Sequence, residues 1–273
     1  MGNQAIPALN QLGNLDQLIA NDWHYALASS LGLDLTNNAT WGSKMALGAI
    51  FFLPIYLVVF TVCTIWELLF SVVRGHEVNE GMFVSTILFA LIVPPTLPLW
   101  QAALGISFGI VVAKEIFGGV GRNFMNPALA ARCFLLIAYT GPMTNFVCDA
   151  YSGATPLAIL KPGSEVVGQT APTLLTMFIG KTSGVIGETS VICLLIGAIY
   201  LVVRKIISLR IPLSYIGTFA VLIFLFAPGH QFDAMYMLQE ICGGGLILGA
   251  FFMATDYVTS PITPVSYTHL RAH

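Results

Sequence analysis

The sequence predicts an all-α integral membrane protein: a polytopic helical bundle that contains broken or half helices. Three observations carry this reading. The 273-residue chain is 56% hydrophobic and only 9% charged, with a mean hydropathy of +0.83. A soluble domain carries about 25% charged residues, so a chain this poor in charge cannot cover a water-facing surface. The apolar residues also gather into long runs, of which Met45 to Val73 is the first and exceeds the roughly 20 residues needed to cross about 30 Å of hydrocarbon. Finally, prolines and glycines fall between or inside the apolar runs, as in Pro94-Pro95-Thr96-Leu97-Pro98. Proline lacks an amide donor and ends a helix, so several runs are expected to be interrupted.

Residues 1–44 are mixed in character and interrupted by Asp16, Asp22 and Asp34. They read as an outside-facing segment with short amphipathic helices. The start of the chain has no charged stretch followed by an apolar core, so it is not a signal peptide. Residues 45–264 read as the polytopic domain. Its first span, Met45 to Val73, is followed by the polar loop Arg74 to Glu80. Met82 to Pro94 and Leu97 to Val112 are apolar runs separated by the proline cluster. Lys114 to Asn126 is glycine-rich and basic, and Ala128 to Tyr139 is a short apolar helix. A long polar loop covers 141–170. Leu174 to Ile179 is too short to cross and is expected in the interface. Val185 to Val203 spans, Arg204 to Arg210 is a basic loop, Pro212 to Ala227 spans, and Ile241 to Thr255 is the last apolar run. The tail 265–273 departs from the pattern, reads as translated sequencing adapter, and is set aside as non-native.

Several function classes drop out. The net charge of −2 leaves no basic footprint for nucleic acid. The cysteines, Cys63, Cys133, Cys148, Cys193 and Cys242, show no CxxC spacing. They suit small packing positions rather than a zinc, iron–sulfur or disulfide framework. His24, His76 and His230 are scattered and suggest no metal site.

Three groups of residues point to chemistry. The first is Asp149-Ala-Tyr-Ser-Gly-Ala-Thr155-Pro156. Pro156 pushes Thr155 into an extended conformation, and Gly153 and Ala154 leave its hydroxyl open to a modifying enzyme. The plain reading is a turn in which Ser152 serves as a cap. The second is Phe117-Gly-Gly-Val-Gly-Arg-Asn123 with Asn126-Pro127. No strand precedes it and its glycine spacing is wrong for a dinucleotide fingerprint. Asn126 reads as an N-cap with Pro127 first in the helix, which offers free amides near membrane depth; the plain reading is a tight interfacial turn. The third is a set of acids in or beside apolar runs: Glu67, Glu115 and Asp256. A lone charge in the bilayer is costly, so such residues are paired or functional. Glu67 lies near enough to the end of its run to reach the interface, and Glu115 has Lys114 beside it as a local partner. Asp256 follows Gly243-Gly-Gly245 and precedes Thr259, Ser260 and Pro261. Hydroxyls, carbonyls and a carboxylate suit a hard cation such as Na⁺.

The Asp149–Thr155 stretch resembles the signal for covalent flavin attachment in a family of membrane redox proteins. That family holds the B-type subunits of the sodium-translocating NADH:quinone reductase and the homologous D-type subunits of the ferredoxin:NAD⁺ oxidoreductase complex. Asn21 to Leu27, Phe52 to Tyr56, His76 to Gly81, Leu91 to Gln101, Lys114 to Leu129 and Phe251 to Asp256 are similar to the quinone-reductase branch and follow its order. Tyr257 departs from the family's proline. An amino-terminal span and the spans after Asp256 are also missing from the pattern. The resemblance implies FMN joined through its phosphate to Thr155 by a flavin transferase, with Asp149, Ser152, Gly153 and Ala154 in the signal. It implies riboflavin and quinone near Gly118, Gly119, Gly121, Asn123 and Asn126; the residues themselves, as carboxylates in or beside apolar runs, put Glu115 and Asp256 on the cation path. Electrons are then expected to run from NADH on another subunit to quinone, coupled to Na⁺ export across the bacterial inner membrane. The residues alone leave open a channel or secondary transporter with no redox role, which would not need the flavin signal.

Loop charges set the expected orientation. With residues 1–44 outside and alternating spans, the inside holds Arg74, Lys114, Arg122, Arg132, Arg204, Lys205 and Arg210, against Lys44, Lys161 and Lys181 outside. This satisfies the positive-inside rule and puts the 141–170 loop in the periplasm. A cysteine introduced at Ser164 is expected to react with an impermeant maleimide in whole cells, and one at Gly75 is not. The reverse labelling pattern overturns this orientation.

Overall fold

The computed structural model describes residues 22–35, 40–75, 78, 80–119, 123, 125–144, 155–161, 173–180, 182 and 184–256. Every regular element among the described residues is helical. Helix α1 (Trp23–Ser30) is capped by Asp22, which accepts from the His24 amide at 3.0 Å. It packs Tyr25 and Ala28 against α2 (Trp41–Arg74). Helix α2 begins at the Thr40 cap and ends at Gly75, which takes the left-handed φ of 67° that a glycine adopts without strain. Leu47, Phe51, Ile55, Val59, Cys63 and Glu67 form a buried row along it, spaced by four. That spacing makes a ridge fit to pack into a neighbouring groove.

Helices α3 (Gly81–Ile92) and α4 (Leu99–Ile110) lie against that ridge. The break between them has a local cause. Val93 is extended (φ −97°, ψ 154°) ahead of Pro94, because a residue before proline is held out of the helical region. Helix α4 runs on into a π-helical turn, Val111–Glu115. Helix α5 (Pro127–Ala138) crosses α4 closely at Gly105 and Gly109. A Cβ on Gly109 would stand 2.4 Å from the Pro127 carbonyl oxygen. Gly105-x-x-x-Gly109 thus works as a small-residue face that lets two backbones meet. Ile55, Phe89, Ile106, Ala131 and Leu135 are buried together around the crossing.

The rest of the chain forms α6 (Thr140–Thr144), α7 (Pro156–Leu160), α8 (Leu174–Ile179), α9 (Val191–Val203), α10 (Arg210–Phe226), α11 (Ala234–Cys242) and α12 (Leu246–Leu248), which continues as a π-helical turn, Gly249–Met253. Outside the apolar helices, the Tyr236 amide, with Met235's, holds the Asp233 carboxyl below the usual carboxylate range as it caps α11. Helix α8 buries Met177 with Val191, Cys242 and Ile247 in a second cluster.

The expected breaks are present, and several expected spans differ. The first run is helical over the longer stretch Trp41–Arg74, and it is the one helix among the described residues long and apolar enough to cross a membrane unaided. The last run is a bent pair, Ala234–Cys242 and Leu246–Met253, with 67° between its halves at the glycine break. The run from Val185 is helical only from Val191. Its first residues turn away because they bond elsewhere: the Gly187 amide donates to the Leu91 carbonyl at 2.7 Å, at the end of α3. Large apolar side chains such as Val72, Ile137, Ile196 and Phe226 stand more than 60% exposed, a surface suited to apolar surroundings rather than water.

The α4–α5 crossing is sensitive to a single methyl group. Gly109→Ala is expected to cost about 1–3 kcal/mol and to lower the unfolding temperature in detergent, because its neighbour is backbone. Gly217→Ala, where a Cβ meets open space, is expected to change it little. Equal melting of the two variants overturns the assignment.

Candidate functional site

The close crossing delivers the start of α5 to the end of α4. Asn126 is the N-cap of α5, as its place before Pro127 implied: its Oδ1 accepts from the Ala128 amide at 2.9 Å and the Leu129 amide at 3.4 Å. The same side chain turns its Nδ2 toward Asp256 Oδ2, 3.5 Å away. Two residues singled out separately, 130 positions apart in the chain, therefore belong to one place. Asp256 follows the second π-helical turn, and its amide donates to the Met253 carbonyl at 3.3 Å.

The glycine-rich turn closes the first π-helical segment. The Gly118 amide donates to the Glu115 carbonyl at 3.0 Å and the Gly119 amide to the Lys114 carbonyl at 3.1 Å. Both glycines have left-handed φ values, 114° and 88°, where a side chain would be strained. Asn123 is buried and donates to the Met125 carbonyl at 3.3 Å. Gly121 lies outside the described residues.

Of the acids of the apolar runs, Glu67 is more tightly paired than expected and Glu115 less so. Glu67 is turned into the protein. It is 1% exposed and takes the Lys114 ammonium as its hydrogen-bond donor, because the four-residue row along α2 aims it at the neighbouring helix rather than outward. The Lys114–Glu115 pair expected from adjacency is the weaker contact, at 3.9 Å, and Arg74 Nη1 stands 3.5 Å from Glu115 on its other side. Lys114, counted above among the inside loop charges, is 2% exposed and belongs to this buried group. The remaining inside charges still outnumber those outside. A little farther along the same interface, Trp66 Nε1 donates to Ser107 Oγ at 2.9 Å.

Sequence reasoning missed one acid altogether. Glu188 lies inside the run read as a span, and its Oε1 accepts from the Val185 amide at 3.0 Å. Arg132 acts on its charge from α5. A Cβ on Gly245 would come within 3.4 Å of its other oxygen, so the carboxylate sits beside the glycine break of the last run. The signal was available: a charge in an apolar stretch, directly after a glycine.

Thr155 is extended as expected, with φ −62° and ψ 154°. It is also the N-cap of α7, its Oγ1 accepting from the Ala158 amide at 3.3 Å. The cap uses the oxygen as an acceptor only, a role that an ester oxygen retains. Asp149, Ser152, Gly153 and Ala154, like the tail 265–273, lie outside the described residues. Helix α7 is anchored at the other broken helix: a Cβ on Gly244 would stand 2.6 Å from Leu157 Cδ1. Among the described residues no group of three or more His, Cys, Asp and Glu side chains is arranged to hold a metal ion.

Residues 18–268 match the profile of a single family, described as the NQR2, RnfD, RnfE family. The chain belongs to that family. It is 62% identical, over 278 residues, to a Haemophilus influenzae protein named as the B-type subunit of Na(+)-translocating NADH-quinone reductase, with 96% of this chain and 67% of the relative covered. Proteins of the same name are 49% identical over 279 residues in Yersinia pestis (96% and 68% covered) and 50% identical over 279 residues in Neisseria meningitidis serogroup B (97% and 68% covered). This member of the family thus spans about two thirds of the length of those relatives, and the family match includes the Asn126 and Asp256 regions.

The roles of Asn126 as cap and as partner of Asp256 can be separated. Asn126→Ser keeps a good N-cap, so it is expected to retain most stability while losing the Asp256 contact. Asn126→Ala loses both and is expected to cost about 0.5–2 kcal/mol. Thermal unfolding of the two variants side by side checks this, and equal losses overturn the capping assignment.

Proposed function

We propose that this chain is the membrane-embedded redox subunit, of the B type, of a sodium-pumping NADH:quinone reductase. It carries FMN on Thr155 through a phosphoester and holds riboflavin beside Gly118, Gly119, Gly121, Asn123 and Asn126. The observation that carries the reading is Thr155, an extended and partly exposed hydroxyl at the start of α7, directly after the Asp149-to-Ala154 signal. The names of its relatives support the same assignment. The family description also takes in RnfD, so the homologous component of the ferredoxin:NAD⁺ oxidoreductase complex is the second reading. The tract from His76 to Leu129 favours the first. A channel or secondary transporter has no need of a flavin acceptor at Thr155.

The residues present fit these groups. A flavin transferase needs Thr155 accessible, and among the described residues its hydroxyl serves only as an acceptor, from the Ala158 amide. The left-handed glycines at 118 and 119 leave no Cβ to crowd a planar ring, and the buried amide side chains of Asn123 and Asn126 offer it polar partners. The flavins supply the redox chemistry when bound, between NADH-derived electrons and quinone. The protein positions them, excludes water, and places Asp256 and Glu115 as carboxylates on the cation path. The exposed apolar faces support a membrane setting; we place it in the inner membrane, with other subunits of the complex as partners and, by the loop charges, the 141–170 loop on the periplasmic side.

Thr155→Ala is expected to abolish the flavin fluorescence that survives denaturing electrophoresis, with membrane insertion unchanged. Persistent fluorescence sinks the attachment site. Asp256→Asn keeps size and capping ability but loses the charge that offsets dehydration of Na⁺. In the complete complex it is expected to raise the sodium concentration for half-maximal quinone reduction while Thr155 flavinylation stays intact. Unchanged sodium dependence reduces Asp256 to a structural partner of Asn126.

A further inference from the structure

The buried charges between α2 and the first π-helical turn alternate in space as acid, base, acid, base. Lys114 Nζ donates to Glu67 Oε1, lies 3.9 Å from Glu115 Oε1, and Glu115 Oε2 in turn lies 3.5 Å from Arg74 Nη1. The side chains of Glu67, Lys114 and Glu115 are no more than 3% exposed, whereas that of Arg74 is 34% exposed, at the helix end. The two carboxylates are not equivalent. Glu67 is satisfied by the ammonium. Neither oxygen of Glu115 accepts a hydrogen bond from any described residue, although both cations stand close by. A buried carboxylate without hydrogen bonds bears most of the cost of leaving water, and its hard oxygens suit a small metal cation. Lys114 is the group that such a cation must compete with. It is a compact charge on a flexible stem, and it sits in a π-helical turn, a feature associated with functional sites.

We infer that Lys114 is a tethered counter-cation: it holds Glu67 and Glu115 together and gives up its share of Glu115 when a monovalent metal cation binds there. Lys114 is therefore a positioning residue that sets cation affinity, and the inference rests on the sodium-coupled reading above. With the ammonium resident, the four charges sum to zero and binding of a second cation is weak and reversible, as transport requires. Without it, the two buried carboxylates keep no paired cation except Arg74.

The test uses the complete purified complex, with sodium chloride or choline chloride at equal ionic strength. Lys114→Met is expected to gain a sodium-specific rise in unfolding temperature larger than that of the unaltered complex. Its sodium affinity is expected to tighten about tenfold or more, as removal of a nearby buried unit charge implies. Lys114→Arg keeps the charge and is expected to show no such gain. Glu67→Gln combined with Lys114→Met removes one acid with the base and is expected to show a sodium response no greater than the unaltered complex. A sodium response in Lys114→Met equal to the unaltered complex, or equal in choline, overturns the inference. If Lys114→Met does not assemble, Glu115→Gln decides: it is expected to weaken sodium affinity about tenfold, by the same charge argument, and unchanged affinity overturns the proposal. Quinone reduction insensitive to sodium in the unaltered complex sinks the sodium-pumping reading instead, which keeps the two failures apart.

Discussion

The contact between Gly109 and Pro127 decides where the polar groups of this protein stand. Because Gly109 has no Cβ, the α4 backbone can press against the carbonyl at the start of α5. That contact fixes Asn126, one residue earlier, beside the end of α4, where it caps α5 and reaches Asp256. It also fixes the exit of α4, whose π-helical continuation turns Lys114 toward Glu67. A larger residue would push the helices apart and separate both polar groupings. Crossings of this kind, with glycine faces at helix contacts, arise where hydrophobic burial does little to drive helix association and close packing must do it.

Scarcity of water explains how the remaining polar groups are arranged. In an apolar setting each backbone amide and each charge needs a partner inside the protein. The broken segments follow this rule: the amide of Gly187 finds the carbonyl of Leu91, and the carboxylate of Glu188 takes the amide of Val185. Glu67 and Lys114 complete each other across two helices. Glu115 is the exception among these acids, flanked by cations yet accepting no hydrogen bond from the described residues. A buried group left unsatisfied amid so much compensation calls for an explanation, which the inferred cation site supplies.

The two interrupted runs serve different neighbours. The proline break after α3 receives the turn at residues 184–187, and the glycine break at Gly243–Gly245 receives Leu157 of α7 on one side and Glu188 on another. The helix that Thr155 caps is therefore seated on the same broken element, Ala234–Met253, that leads to Asp256. A change in backbone at the glycine break would be felt by both, since no side chain intervenes there to absorb it.

The sequence by itself determined the helical class, the break at Pro94–Pro98, the cap at Asn126 and the extended Thr155, whereas the bend at Gly243–Gly245 came from the tertiary structure. Each of those four follows from local chemistry: apolar composition, a missing proline donor, a side chain that satisfies the first amides, and steric exclusion by the next proline. Only the tertiary structure decided that Glu67 pairs with Lys114 across 47 positions, that Asn126 meets Asp256, and that the half-buried Glu188 stands beside the glycine break. Adjacency in sequence suggested Lys114 and Glu115 as partners. The four-residue row on α2 and the π-helical turn after α4 sent the ammonium to Glu67 instead, because the partner of a buried charge is set by which helix faces touch, and that is fixed by packing at distant glycines rather than by spacing along the chain.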